Sequence, residues 1–179
     1  MRKALSLLSI LNDSDLDWMV AVGSRRDVVA GEVFIQEGQP VDAVFIIVEG
    51  LLAVRTARTG TRDIALLRSG EIVGEMSFVD ARPPSASVVS LGPSLVLAIL
   101  RATLEAKLRD DVPFAARFYR SMAVFLADRL RTTSRGLGYG DKPPDHAEVD
   151  DEEMDPDTLD ALALAGARFD WLLRRVKSR

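Results

Sequence analysis

Residues 31–50 read GEVFIQEGQPVDAVFIIVEG, and this stretch decides the fold class. Short aliphatic and aromatic runs lie between Gly31, Gly38 and Gly50. The run from Val44 to Val48 is apolar at every position, as expected of a strand whose two faces are both buried. Short apolar runs separated by turn residues are typical of all-β domains. The pattern continues on both sides, with further glycines at Gly23, Gly60, Gly70 and Gly74.

This pattern predicts eight short strands, near residues 25–29, 33–35, 44–48, 51–56, 62–67, 71–73, 85–90 and 94–99. Eight short strands favour a β roll or jelly roll. Helices flank the strands: two precede Gly23, the second with Ser14 as its expected N-cap, a short one covers 101–108, and a longer one opens at Pro113. The predicted fold class is mainly β with flanking helices, that is, α+β.

The composition changes after residue 135. Residues 136–155 are rich in Gly, Pro and acidic residues, and nine acidic residues but no Lys or Arg lie between residues 145 and 160. We interpret this segment as a linker. Beyond it, apolar positions at alternating steps of three and four predict a separate amphipathic helix over 156–179. Its apolar seam consists of Leu159, Leu162, Gly166, Phe169, Leu173 and Val176.

The apolar seam does not specify what the last helix packs against. The helix can dock on its own domain, pair with a second copy of the chain, or bind another protein. Because the seam is shorter than the three to four heptads of a secure coiled coil, packing on its own domain or in a dimer is favoured. The candidate partner contacts are Leu162, Phe169, Leu173 and Val176. The predicted organisation is N-terminal helices over 1–24, the roll with its following helices over 25–135, the linker over 136–155 and the C-terminal helix over 156–179.

Composition restricts the function classes. The 179 residues carry a net charge of −4, which argues against a chain that coats nucleic acid or an anionic membrane. There is no Cys and a single His, His146, so thiol chemistry is excluded and a histidine-rich metal site is not expected. The N-terminal apolar run is too short for a signal peptide, and no stretch is long enough to span a membrane. We therefore expect a cytoplasmic location.

Three motifs in this order resemble the cyclic nucleotide-binding domain family, the regulatory β roll of catabolite activators, cyclic-nucleotide-dependent kinases and gated channels. They are the Gly31 to Gly38 segment, the apolar strand that ends in a turn at Gly50, and Gly74-Glu75-Met76-Ser77 followed by Ala86-Ser87-Val88. The resemblance covers about residues 14–135, including a short and then a long helix after the last strand. It implies a ligand-sensing roll whose helices relay occupancy.

In that family a short phosphate-binding cassette follows the pattern G-E-x-(A/S)-x, four further residues, and then P-R-x-(A/S). The resemblance assigns ligand contacts to Gly74, Glu75, Met76, Ser77, Arg82, Pro84, Ser85, Ala86 and Ser87. A glycine lets the backbone approach the ligand, a carboxylate accepts a ribose hydroxyl, and free N–H groups hold a phosphate. This chain departs from the pattern because Pro84 stands at the arginine position and supplies neither charge nor donor.

The substitution at Pro84 leaves two alternatives open. Arg82 can replace the missing guanidinium only along a different side-chain trajectory, and Glu75 can act as a turn carboxylate that caps backbone N–H groups instead of binding ribose. The first hypothesis is a non-enzymatic regulatory module that senses cAMP, cGMP or a related anionic ligand, weakly, and signals to a protein partner. The alternative is a nucleotide-free scaffold for dimerisation or protein interaction. Direct DNA binding is not expected, since too few residues follow the long helix for a three-helix reader.

Overall fold

The computed structural model describes residues 9–58, 62–136 and 156–178. Its strands are β1 (Ser24–Val28), β2 (Val33–Ile35), β3 (Ala43–Glu49), β4 (Leu51–Arg55), β5 (Ala65–Arg68), β6 (Ile72–Val73), β7 (Ser87–Ser90) and β8 (Ser94–Leu100). Its helices are α1 (Asp13–Val22), α2 (Glu75–Asp80), α3 (Arg101–Asp110), α4 (Val112–Gly136) and α5 (Pro156–Lys177). The prediction of a mainly β fold with flanking helices is confirmed.

Two local predictions differ from the structure. The N-cap of α1 is Asn12 rather than Ser14, because the Asn12 side chain accepts from the Asp15 N–H at 2.9 Å while Asp15 accepts from the Asn12 N–H at 2.9 Å. The strand predicted over 62–67 begins only at Ala65, since Asp63 lies in the connecting turn and pairs with Arg55 at 2.6 Å. The predicted first N-terminal helix lies mostly outside the described residues. Residues 137–155 of the predicted linker, which include His146, also lie outside them.

The strands form two four-stranded antiparallel sheets. The order is β1-β8-β3-β6 in one, which we call the helix-side sheet, and β2-β7-β4-β5 in the other, the outer sheet. A core of apolar side chains fills the space between them; Phe45 and Ile47 of β3 belong to it. Val44, Ile46 and Val48 of the same strand face the opposite way and pack against the helices. Both faces of β3 are thus buried, which is the reason for its continuously apolar sequence.

The helices form a layer over the free face of the helix-side sheet. An apolar stripe of α4 is buried there through Phe114, Phe118, Met122 and Phe125, whereas Leu130 further along the helix is exposed. Trp18 of α1 meets Phe114 edge to face, with ring centroids 5.2 Å apart. No helix in the described ranges is both long and apolar enough to cross a membrane.

Helix α5 packs against α1 and β3 and completes this layer. Among residues 163–178, whose side chains are described, the fully buried positions of α5 are Ala165, Leu172 and Val176. Of the predicted seam, Val176 is fully buried and Phe169 and Leu173 pack against the core. Gly166 is only half-buried, and its neighbour Ala165 is buried instead. The steps of seven and four between the buried residues still follow one face of a helix.

Polar contacts hold the middle and the C-terminal end of α5. Arg168 pairs with Asp13 at 2.7 Å and donates to the Leu11 carbonyl at 2.8 Å. Lys177 pairs with Glu49 at 2.7 Å. Of the candidate partner contacts, Val176 is buried in the chain's own core, and Phe169 and Leu173 pack against that core. The Leu162 side chain lies outside the described residues.

Candidate functional site

The cassette predicted from the sequence is built around the short helix α2. Gly74 precedes it in the left-handed conformation, with φ 85° and ψ −1°. A Cβ at this position would lie 2.8 Å from the Ala43 carbonyl oxygen, so the site admits only glycine without a shift. Glycine thus lets the chain turn sharply from β6 into α2 against the backbone of β3. The helical form of residues 75–80 has no strong sequence signal, because six residues are too few for a periodic stripe.

Glu75, at the start of α2, is 2% exposed although it is a carboxylate. Its Oε1 accepts a charge-assisted hydrogen bond from Nη1 of Arg129 in α4. Burial raises the pKa of the Glu75 carboxyl above its usual range, although the Arg129 guanidinium and the N–H groups of Glu75 and Met76 act in the opposite direction. Both interpretations of Glu75 from the sequence therefore stay open. The carboxylate contacts backbone N–H groups, as a capping residue does, and it also lies where the family pattern places a ribose contact.

Arg129 bridges three elements. Its Nη2 donates to the Ile72 carbonyl of β6 at 3.2 Å and lies 3.9 Å from Oε2 of Glu71. Its guanidinium carbon lies 4.7 Å from the centre of the Phe125 ring on its own helix. Together with the Glu75 contact, this arrangement fastens the last part of α4 to the β6–α2 junction.

The C-terminal end of α2 is held by a second arginine. Arg101, the first residue of α3, donates to the Ser77 carbonyl at 2.9 Å and to the Phe78 carbonyl at 3.1 Å. A guanidinium at the last carbonyls of a helix interacts favourably with the negative end of the helix dipole. The Ser77 carbonyl also accepts from the Ala81 N–H at 3.1 Å. Ser77 itself is buried, whereas Met76 on the other side of the helix is exposed. The cassette helix is therefore bonded to α3 at one end and to α4 at the other.

Arg82, the alternative to the missing cassette arginine, lies in solvent. Its side chain is 83% exposed and lies 3.9 Å from Asp80, while its N–H donates to Asp80 at 3.0 Å. The guanidinium is thus held in solvent at the turn that follows α2. Ala81, directly before it, has φ 57°, a left-handed residue that redirects the chain at this point.

The cassette ends in an extended segment that contacts the turn after β2. The Pro84 carbonyl accepts from the Gly38 N–H at 2.9 Å. The Ser87 hydroxyl accepts from the Glu37 N–H at 2.9 Å. Ser85 is exposed and Ala86 is half-buried. Through these contacts the Glu37-Gly38 turn and the end of the cassette hold each other in place.

A cleft of about 550 Å³ lies beside this turn. Gln36 to Gly38, the Arg55 to Ala57 segment and Ser87 line it. Among the predicted ligand contacts, Ser87 alone belongs to its lining. Gly74, Glu75 and Ser77 thus lie at the β6–α2 junction, Ser87 lines the cleft, and the Arg82 side chain lies in solvent.

Sequence reasoning missed Arg101 and Arg129. Arg129 follows Phe125 by four residues, and an arginine on the edge of an apolar stripe is a usable signal for a buried ion pair. Which carboxylate it meets depends on the fold and is not readable from spacing. Within residues 9–58, 62–136 and 156–178, no group of three His, Asp or Glu side chains is arranged to hold a metal ion.

Comparison with known proteins identifies the roll. Residues 25–111 match the cyclic nucleotide-binding domain family. A cyclic AMP receptor protein of Thermus thermophilus is 30% identical over 131 residues, which cover 72% of this chain and 59% of that protein. A cAMP-dependent protein kinase regulatory subunit of Blastocladiella emersonii is 27% identical over 113 residues, covering 62% of this chain and 28% of the subunit.

A crystal structure of a cyclic nucleotide-binding domain from Methylobacillus flagellatus superposes with a TM-score of 0.69. The identity is 20%, and the alignment covers 80% of this chain and 86% of that domain, so this likeness concerns the fold. The chain spans less than two thirds of the length of the two sequence relatives, at 59% and 28%.

Proposed function

Because this chain belongs to the cyclic nucleotide-binding domain family, we propose that residues 25–135 sense a cyclic nucleotide, cAMP or cGMP, or a related anionic ligand, and relay its binding to a protein partner. The module is non-enzymatic in this proposal. The observation that carries it is the Glu75–Arg129 ion pair, which connects the cassette directly to the long helix α4. Two relatives support the ligand class, since one is a cyclic AMP receptor protein and the other a regulatory subunit of a cAMP-dependent kinase.

The recognition chemistry would come from the β6–α2 junction. Gly74 permits close approach of the backbone, and the Glu75 carboxylate is the acceptor for a ribose hydroxyl. The phosphate would lack its guanidinium, because Pro84 has none and Arg82 points into solvent. Loss of a desolvated Arg–phosphate pair weakens binding by about 2–5 kcal/mol, or roughly 30- to 5,000-fold. We therefore propose a sensor of low affinity.

The relay would act through the two arginines that hold α2. A ligand that shifts α2 must move Arg101 with α3, Arg129 with α4, or break these contacts. The ligand shifts this equilibrium only by the difference in its affinity for the two arrangements. The α2 contacts are therefore the physical link between occupancy and the helices that a partner would read.

Pro84 also favours a second candidate, a scaffold in which the pocket no longer binds nucleotide. In that case the domain would act through protein contacts, as a homodimer or with another protein. We also propose, from the composition and the absence of cysteine, that the protein works in the cytoplasm. Neither candidate requires DNA contact by the described residues.

Isothermal titration of the purified chain with cAMP and with cGMP tests the proposal. Three proteins are compared: the native chain, Pro84→Arg, and Pro83→Arg as a control that adds the same charge one residue away. Measurable binding that Pro84→Arg strengthens by about 30-fold or more supports the sensor, because the substitution restores the phosphate partner. If none of the three proteins binds nucleotide at millimolar concentration, the sensor function is overturned and the scaffold function is the one supported. An equal gain from Pro83→Arg would show that the cassette is aligned wrongly.

A further inference from the structure

The outer sheet carries an apolar strip on the face that points away from the core. Side chains along its strands alternate between the two faces, and Leu52, Leu67 and Val88 belong to the core between the sheets. On the opposite face, four apolar residues lie side by side at one level of the sheet, one from each strand: Val33, Val89, Ala53 and Leu66. Because neighbouring strands are about 4.8 Å apart, the strip is roughly 14 Å long.

Both ends of this strip are open to solvent. Val33 and Leu66 at the ends are 49% and 44% exposed, whereas Ala53 and Val89 between them are buried. Leu91, directly after β7, is a further exposed apolar residue. The solvent side of an antiparallel sheet is ordinarily polar, and contiguous exposed apolar surface marks interaction sites.

One end of the strip is concave. Val33 and Val89 also line the cleft of about 550 Å³ that lies beside the Glu37-Gly38 turn. An apolar side chain that protrudes from a partner therefore has a depression to enter, as the anchor residue of an interface does.

Arginines border the strip on both sides. Arg55 lies two positions beyond Ala53 in β4, and Arg68 lies two positions beyond Leu66 in β5, so both belong to the same face. The β4–β5 hairpin, residues 51–68, contains four arginines and one acidic residue, which gives it a net charge of +3 in a chain of net charge −4. The exposed arginines of the hairpin are Arg58, Arg62 and Arg68.

This charge decides which occupant fits the face. Asp63, the one acidic residue of the hairpin, is already paired with Arg55 at 2.6 Å. A second copy of the chain that presents the same face would bring arginines close to arginines, and like charges across an interface are unfavourable. Carboxylates, in contrast, accept charge-assisted and often bidentate hydrogen bonds from guanidinium groups. The face therefore fits an acidic segment that also carries apolar residues.

We propose that the strip and the arginines of the β4–β5 hairpin form a docking surface for an acidic segment of another protein, with aliphatic or aromatic residues between its Asp and Glu residues. The apolar side chains of the segment cover the strip, one of them in the cleft, and its carboxylates pair with the exposed arginines. This inference deepens the proposed function, on which it rests for the existence of a protein partner. It does not depend on nucleotide binding.

Peptide selection tests the docking surface. A display library of short random peptides is selected on the immobilised full chain without nucleotide, and an enriched peptide is labelled with fluorescein and titrated by anisotropy. The same peptide with Asn and Gln in place of Asp and Glu is the charge control. Leu66→Ser and Arg68→Ala change the docking surface, and Leu164→Ser and Arg131→Ala make the same changes at exposed positions of α5 and α4.

We expect the enriched peptides to combine Asp or Glu with apolar residues. Leu66→Ser and Arg68→Ala should each weaken peptide binding at least about fivefold, and Leu164→Ser and Arg131→Ala should leave it within about twofold. The charge-control peptide should bind more weakly, and added salt should weaken binding of the acidic peptide, because the arginines are exposed.

Enrichment of basic peptides, of uncharged peptides or of none overturns the proposal. Binding that Leu66→Ser and Arg68→Ala leave unchanged also overturns it, because the peptide then binds elsewhere. Two other occupants are tested in parallel, and either result overturns the partner protein as occupant. Tighter peptide binding after Asp and Glu in residues 145–155 are replaced by Asn and Gln would assign the surface to the chain's own acidic segment. A dimer in sedimentation that Leu66→Ser abolishes would assign it to a second copy.

Nucleotide titration of the same preparation keeps the two proposals separate. Nucleotide binding without peptide binding overturns the docking surface and leaves the sensor standing. Peptide binding without nucleotide binding overturns the sensor and leaves the docking surface standing.

Discussion

The guanidinium of Arg117 in α4 donates two hydrogen bonds, of 2.6 and 2.8 Å, to the carboxylate of Asp15 in α1. The two residues are 102 positions apart in the chain. Asp15 is buried and also accepts from the Asn12 N–H at 2.9 Å, which completes the capping box of α1. One carboxylate therefore both begins α1 and fastens it to α4.

Replacement of Asp15 by Asn should destabilise the protein by about 1–3 kcal/mol, since it removes a charge-assisted pair with a bidentate partner. The loss stays below that of a fully buried ion pair because Arg117 keeps water access, with 31% of its side chain exposed. Urea unfolding followed by circular dichroism measures the change. Asp17→Asn, an exposed aspartate on the same helix, is the matched control and should alter stability by less than about 0.5 kcal/mol.

Acid should weaken the same contact. Burial raises the pKa of Asp15, but the Arg117 hydrogen bonds and the Asn12 N–H outweigh it, so the pKa lies below its usual 3.8. A carboxyl with a lowered pKa in the folded state gives stability that is complete above its unfolded pKa and is lost as pH falls through the folded value. The stability difference between the native chain and Asp15→Asn should therefore be constant near neutrality and shrink below about pH 4. An undiminished difference at about pH 2 would contradict this assignment.

Much of the fold is predictable from local patterns. The continuous run of Val44 to Val48 and the stripe of Phe114, Phe118 and Phe125 reflect burial directly, because the period of an apolar pattern follows the geometry of the element. The N-cap was wrong by two residues, since Ser14 and Asn12 both have suitable side chains and only the Asp15 contact decides between them. In α5 the predicted seam residue Val176 is buried, but Ala165 and Leu172 are buried more deeply than their predicted neighbours Gly166 and Leu173, because the docking surface is set by α1 and β3.

The candidate site is less predictable for a physical reason. The residues of the motif, Gly74 and Glu75, are contiguous in sequence, and their conformations follow from the turn. Glu75 pairs with Arg129, 54 positions later, and the Ser77 carbonyl accepts from Arg101, 24 positions later. No local spacing in the sequence specifies either contact. Closeness in sequence also does not fix where a side chain lies: Arg82 is two residues from Pro84, and its guanidinium lies in solvent 3.9 Å from Asp80.

A Gly74→Ala substitution should be costly for two separable reasons. The left-handed backbone costs a non-glycine residue about 1–2 kcal/mol, and the new Cβ would also lie 2.8 Å from the Ala43 carbonyl oxygen. Gly38→Ala is the control, because Gly38 has φ 76° and nothing within 4 Å of its added Cβ. In thermal unfolding, Gly38→Ala should lose about 1 kcal/mol and Gly74→Ala at least about twice that. Equal losses would show that β3 yields to the methyl group.

Helix α5 should contribute to stability through its buried face rather than act as a free tether. Leu172 is fully buried and Leu164 is 47% exposed on the same helix, so Leu172→Ala and Leu164→Ala compare identical changes in the two environments. We expect Leu172→Ala to lose about 2–4 kcal/mol, capped at the free energy that docks α5, and Leu164→Ala less than about 1 kcal/mol.

Deletion of residues 156–179 should leave the roll folded, judged by circular dichroism, but expose the apolar face of α1 and β3 to a hydrophobic dye. A truncated chain with the same melting temperature, size and dye binding as the full chain would show instead that α5 is a tether to a distant partner.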